Sequence, residues 1–188
     1  MRGDRGADGL PSGNVIYLST FSKTLAPGLR VGWTIAPPEV IGRLVQLKQG
    51  ADLHTSTFIQ QLVHEVARGG FLDAHIRLLR QAYRERRDIM LATLAETMPP
   101  EATWTRPAGG LFVWLRLPDG MDSQALLQAA LEKDVAFVPG NAFFADKAAG
   151  RRYCRLNFSN ALPDRIREGI RRLAGLVHAR LAVPESAA

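Results

Sequence analysis

Ser19-Thr20-Phe21-Ser22-Lys23-Thr24-Leu25-Ala26-Pro27-Gly28-Leu29-Arg30-Val31-Gly32-Trp33 is the stretch on which the identity of this fold turns. It sets a lysine at a strand end among hydroxyl side chains, with a guanidinium seven residues later and a glycine between them. A bidentate guanidinium matches phosphate geometry and hydroxyls add further donors, so the pattern predicts a dianion site. A lysine beside such a site stands near a bound phosphate ligand, and its amine can form a Schiff base with a carbonyl. The bland alternative is a surface loop of the same composition.

On either side the chain reads as strand. Val15 to Leu18 is a short β-rich run ending in hydroxyls, and Val31 to Ala36 is a second, bounded by Pro37 and Pro38. Pro38 and Glu39 suit a helical first turn, followed by Ile41, Leu44, Val45 and Lys48 at roughly helical spacing. Phe58, Ile59, Leu62, Val63 and Val66 mark another helix, which Gly69-Gly70 stops. From Leu72 the apolar stripe Ile76, Leu79, Tyr83, Met90, Leu94 and Met98 keeps its phase, predicting one helix of roughly 40 Å at 1.5 Å per residue. After Pro99-Pro100 the pattern shortens. Strands are expected over Leu111 to Leu117, Val135 to Val138 and Tyr153 to Ser159, with a helix opened by Asp122 and Ser123. A last helix begins at Pro163-Asp164, striped by Ile166, Ile170, Leu173, Val177 and Leu181, before the small polar tail Pro184 to Ala188.

Strand alternation over Tyr153 to Ser159 puts Tyr153, Arg155, Asn157 and Ser159 on one face and Cys154, Leu156 and Phe158 on the other. An arginine in mid-strand needs an anionic partner, because burying an unpaired guanidinium is costly. A substrate carboxylate and a salt bridge to a nearby acid both meet that need. Cys154 reads as a small core residue, with no activating partner evident.

Composition narrows the classes further. With 188 residues and 46% hydrophobic content the chain can bury one sizeable core or two small ones. Its single cysteine excludes an intramolecular disulfide, and its four histidines show no close metal-ligand spacing, so no metal site is expected. The net charge of +6 is spread through mixed runs: Arg84-Glu85-Arg86-Arg87-Asp88 interleaves both signs, and Arg165 to Arg172 holds Glu168. Solvated helix faces fit this better than a phosphate-tracking stripe, so no nucleic-acid partner is expected. No apolar run is long enough for a membrane span, and the polar, glycine-rich Met1 to Asn14 lacks a signal-peptide core; a cytoplasmic home is expected.

The lysine segment resembles the lysine signature of class I/II aminotransferases of fold type I, which depend on pyridoxal 5'-phosphate. It is most similar to the branch that includes the 2-aminoadipate and kynurenine aminotransferases. Tyr153 to Ser159 is similar to the family's Arg-x-x-Phe-Ser strand, Pro107 to Trp114 to its glycine turn into a small-domain strand, and Val138 to Phe144 to the loop that closes near the substrate side chain. Asp52-Leu53-His54-Thr55-Ser56 resembles a segment at the family's dimer interface, although for His54 alone a surface or helix-cap role is as good a reading.

What the resemblance implies is specific. The fold would be α/β, with residues 1–88 the carboxyl-terminal part of the large cofactor-binding domain plus the start of the long helix, and residues 89–188 the small carboxyl-terminal α/β domain. Lys23 would carry pyridoxal 5'-phosphate as a Schiff base and act as general acid and base on the substrate α-proton. Thr20, Ser22 and Arg30 would hold the cofactor phosphate, and Arg155 the substrate α-carboxylate. The partners would be an amino acid and a 2-oxo acid, and the full-length protein a homodimer. In the family, the aromatic ring that stacks on the cofactor and the acid that protonates its pyridine nitrogen lie well before the lysine, whereas twenty-two residues precede Lys23. A truncated or fragmentary product is therefore expected, inactive or nearly so alone, with open strand edges and low solubility.

Two other classes compete. The aminotransferase-like effector domain of a helix-turn-helix transcription regulator would carry the same lysine without turnover. A penicillin-binding type of serine hydrolase would need Thr20-Phe21-Ser22-Lys23 to stand as Ser-x-x-Lys, and the chain contains neither Ser-Asp-Asn nor Lys-Thr-Gly.

Overall fold

A computed structural model describes residues 15–182. The polar stretch Met1 to Asn14 and the tail Pro184 to Ala188 lie outside the described residues. The chain divides into two compact units, with the break between Leu79 and Arg80 inside one helix. The sequence reading sets the division later in that helix, between Asp88 and Ile89.

In the first unit, β1 (Tyr17–Thr20) and β2 (Gly32–Ile35) form an antiparallel pair with Tyr17 opposite Ile35 and Thr20 opposite Gly32. The expected first strand, Val15 to Leu18, is thus displaced toward the lysine. The register explains the shift: continuing outward, Val15 would meet Pro37, which has no N–H to give to a ladder. Two helices follow, α1 (Pro38–Ala51), started by proline as expected, and α2 (Thr57–Arg68). Ser56 caps α2 by accepting from the Ile59 N–H, and Gly70, at φ 77°, takes the left-handed conformation that ends it. Little of this unit is buried: of its apolar residues, Val31 and Val63 are covered, while Leu18, Leu47 and Phe58 stand open.

The long helix α3 (Phe71–Thr97) is continuous, as its stripe predicted. Exposure along the stripe falls from half-buried at Leu72, Ile76 and Leu79 to buried at Met90, Leu94 and Met98.

The second unit is built on a four-stranded antiparallel sheet of order β3-β4-β6-β5, comprising β3 (Thr103–Trp104), β4 (Phe112–Arg116), β5 (Val138–Pro139) and β6 (Tyr153–Asn157). Its inner face, Val113, Leu115, Cys154 and Leu156, is covered by Met90 and Leu94 of α3, Leu126 and Ala130 of α4 (Ser123–Leu131), and Ile166, Ile170, Leu173 and Val177 of α5 (Pro163–Leu181). Leu94, Leu115, Leu126 and Leu173 are fully enclosed. Each contributes roughly 1.5–3 kcal/mol by leaving water.

Two expected strands are corrected here. Val135 to Val138 is strand only from Val138, because the chain leaves α4 through a tight turn in which Val135 N–H donates to the Ala130 carbonyl (2.9 Å) and Asp134 is left-handed (φ 56°). Tyr153 to Ser159 ends at Asn157, whose side-chain oxygen accepts the Ser159 N–H at 2.7 Å and folds the chain into a turn. β3 went unread in the sequence, being too short to show a period. Within the basic runs, Arg87 pairs with Asp88 and donates to the Pro107 carbonyl, and Arg172 pairs with Glu168 and Asp134.

Candidate active site

The loop from Phe21 to Val31 joins the paired ends of β1 and β2, so the strand ladder fixes both of its feet. Phe21 N–H donates to the Val31 carbonyl at 3.1 Å, and the Phe21 carbonyl accepts the amides of Thr24, Leu25 and Ala26. Lys23 therefore sits at the apex of a tight turn, exposed. The Thr20 hydroxyl donates to Ser22 Oγ at 2.8 Å and also lies 3.1 Å from the Val31 carbonyl, while Ser22 N–H donates to Thr20 Oγ1 at 3.0 Å. Thr20 and Ser22 thus share one spot immediately before the lysine.

At the far end of the loop Pro27–Leu29 form a single helical turn, and Arg30 follows in the left-handed region at φ 54°. A non-glycine residue there stores strain, which persists only where the surroundings impose it. Here Pro27 imposes it: its carbonyl accepts both the Arg30 N–H (3.3 Å) and the Arg30 Nη1 (3.1 Å). A guanidinium has five N–H donors, so this bond leaves most of them open.

As a test of fit, the donor set matches a phosphorylated aldehyde. Residues 19–33 supply two clustered hydroxyls, a guanidinium and a primary amine, and include no aspartate or glutamate to repel a dianion. Among the described residues no cluster of His, Cys, Asp and Glu could hold a metal ion, and no helix is long and apolar enough to cross a membrane.

In the second unit Arg155 occupies the middle of β6, opposite Trp114 of β4 and Val138 of β5. Its guanidinium carbon lies 4.2 Å from the Phe112 ring centroid and 4.6 Å from that of Phe143. Its Nε is buried without a hydrogen-bond partner among the described residues. No described carboxylate pairs with Arg155, so the salt-bridge alternative finds no support within this set. The sequence reading missed the two rings. Both stood in stretches it had singled out, Pro107 to Trp114 and Val138 to Phe144, but nothing local says that those stretches meet over one arginine.

Cys154, on the opposite face of β6, is fully buried, and desolvation pushes its thiol up from 9.0 to about 12. It stays protonated and packs as core. In the Asp52 to Ser56 segment, His54 Nδ1 lies 2.9 Å from the Thr55 carbonyl, next to the cap of α2.

The family model described as "Aminotransferase class I and II" matches residues 6–173. Aromatic-amino-acid aminotransferase 1 of Thermococcus litoralis is 49% identical over 162 residues, covering 86% of this chain and 39% of that protein. The crystal structure of LysN, an alpha-aminoadipate aminotransferase from Thermus thermophilus complexed with N-(5'-phosphopyridoxyl)-L-leucine, superposes with a TM-score of 0.86 at 46% identity, covering 90% of this chain and 43% of that one. A weaker likeness, 33% identity over 91% of this chain and 35% of the relative, is to the uncharacterized HTH-type transcriptional regulator YdfD of Bacillus subtilis. The chain spans about two fifths of the length of the curated aminotransferase it matches at 49% identity.

Proposed function

From the premise that this chain belongs to the class I and II aminotransferase family, we propose that the protein transfers an amino group from an amino acid to a 2-oxo acid, with pyridoxal 5'-phosphate as cofactor. The observation that carries this reading is the Thr20–Ser22 hydroxyl pair packed against the turn that presents Lys23. Thr20 Oγ1, Ser22 Oγ and the Arg30 guanidinium would hold the cofactor phosphate. Bound pyridoxal phosphate supplies the electron sink for the charge left on the substrate α-carbon when its proton departs. Lys23 Nζ would hold the cofactor in the absence of substrate, and would then move that proton from the substrate α-carbon to the cofactor carbon, as general base and acid. Arg155 would bind the substrate by its α-carboxylate.

The homodimer and the cytoplasmic location belong to the same proposal and rest on family resemblance and sequence composition. The likeness to YdfD supports a second reading, an effector domain that binds the cofactor without turnover, but at 33% identity against 49% it is the weaker.

The test is reduction with borohydride in the presence of pyridoxal phosphate, followed by peptide mapping. A pyridoxyl adduct on Lys23 is expected, and its loss in Lys23→Ala. An intact protein that yields no adduct at Lys23 refutes the assignment. An adduct without amino-group transfer to any 2-oxo acid favours the effector reading.

A further inference from the structure

Arg155 is held in an unusual way for a mid-strand arginine. A carboxylate partner would orient the guanidinium, but it would also consume the in-plane N–H donors that a ligand carboxylate needs. Aromatic faces attract the same cation from above and below the plane and leave its edge free. Arg155 stands over both rings, its guanidinium carbon 4.2 Å from the Phe112 centroid and 4.6 Å from that of Phe143, with no paired acid among the described residues.

Separate elements place each ring. Phe112 opens β4, opposite Asn157, and by strand alternation shares the outer face of the sheet with Trp114, the direct neighbour of Arg155. Phe143 ends the helical turn Gly140–Phe143, which is pressed onto β6: a Cβ at Gly140 would stand 2.5 Å from Tyr153 Cβ and 2.6 Å from the Gly150 carbonyl. Asn141 Nδ2 donates to Gln124 Oε1 at 2.9 Å and ties the turn to α4. Trp114 then meets the Phe143 ring edge-on, at 5.4 Å and 82°, and fixes its tilt.

We propose that Phe112 and Phe143 are positioning residues that clamp the Arg155 guanidinium by its faces, so that its N–H edge is already oriented when a substrate carboxylate arrives. The inference rests on the reading of Arg155 as carboxylate anchor. A clamp of this kind removes in advance the rotamer entropy that a free arginine loses on capturing a ligand. It therefore acts on affinity for both the amino acid and the 2-oxo acid, and not on cofactor attachment at Lys23.

The test is NMR of the arginine Nε–Hε groups in the isotope-labelled chain, with the Arg155 resonance identified by its loss in Arg155→Lys. In the wild type that resonance is expected to be shifted upfield by ring currents and to exchange slowly with water. Phe112→Leu and Phe143→Leu each move it toward the free-arginine position and weaken 2-oxoglutarate binding roughly three- to thirty-fold. Phe143→Tyr, which keeps a ring face, retains both properties. Binding and resonance unchanged in both leucine variants overturn the proposal. If a leucine variant fails to fold, the wild-type spectrum decides, because an unshifted, rapidly exchanging Arg155 Nε–Hε overturns it as well. The two readings fail separately. Ring-dependent 2-oxoglutarate binding without a pyridoxyl adduct at Lys23 sinks the transaminase and leaves the clamp, and an adduct without ring dependence does the reverse.

Discussion

The same methyl group added at two glycines should act with opposite sign. At Gly140 a new Cβ would lie 2.5 Å from Tyr153 Cβ, 2.6 Å from the Gly150 carbonyl oxygen and 2.8 Å from the Tyr153 carbonyl oxygen, where ordinary contact begins at 3.4 Å. Two of those three atoms are backbone, so no side chain can swing away to make room. Overpacking of this kind costs typically about 1–3 kcal/mol, and a rigid shortfall of most of an ångström argues for the upper half of that range. With an unfolding entropy near 2.1 cal/mol/K per residue, a unit of about 100 residues should melt roughly 10–15 °C lower. Gly175 lies exposed within α5, and a Cβ there would meet nothing within 4 Å. Gly175→Ala removes the backbone-entropy cost of a helical glycine, about 0.5–1 kcal/mol, and should raise the melting point by roughly 2–5 °C. Thermal unfolding of the two variants by circular dichroism compares them directly. A Gly140→Ala protein that melts within roughly 2 °C of the wild type would refute the claim that the Gly140 turn is pressed against the backbone of β6.

Asp122 caps α4 by accepting the N–H groups of Gln124 (2.7 Å) and Ala125 (3.1 Å), so Asp122→Ala should cost about 1 kcal/mol, read as a lower urea midpoint at unchanged slope. Because burial raises the Cys154 thiol from 9.0 to about 12, both folded and unfolded chains keep the proton below pH 9, and the thiol's contribution to stability is intact there. Above pH 9 only the unfolded chain loses it, so stability should fall by up to about 1.4 kcal/mol per pH unit toward pH 12. Cys154→Ala should remove that part of the slope, and a thiol reagent at neutral pH should label the wild type only when it unfolds. Arg155→Lys keeps the charge but loses the bidentate fork. It should weaken 2-oxo acid binding roughly ten-fold or more in a titration while leaving the pyridoxyl adduct at Lys23 intact.

Much of the fold was legible because its signals are local. Pro38 and Pro163 at helix starts, Asp122 before a helical stripe and Gly70 after one all act within a turn of their own position. The uninterrupted stripe from Leu72 to Met98 needed no tertiary knowledge to read as one helix. The misplaced strands share a different cause. Where β1 begins depends on Pro37 across the ladder, and how little of Val135 to Val138 is strand depends on a turn closed back onto α4. Strand limits are set by a partner distant in sequence, and no window around the strand contains that partner.

Residue types and spacing marked a dianion site around Lys23 within residues 19–33, and strand alternation marked Arg155 as a guanidinium in need of an anionic partner, whereas the particular roles of Thr20, Ser22, Arg30 and Arg155 came from the family resemblance. Tertiary structure decided what surrounds the arginine on β6. Phe112 and Phe143 are separated in the chain, and only the antiparallel pairing of β4 with β6, together with the close seat of Gly140 on Tyr153, brings both rings to one guanidinium. Local chemistry is written in short segments. A ring face against a cation is a contact between distant segments, and it exists only once the sheet has formed.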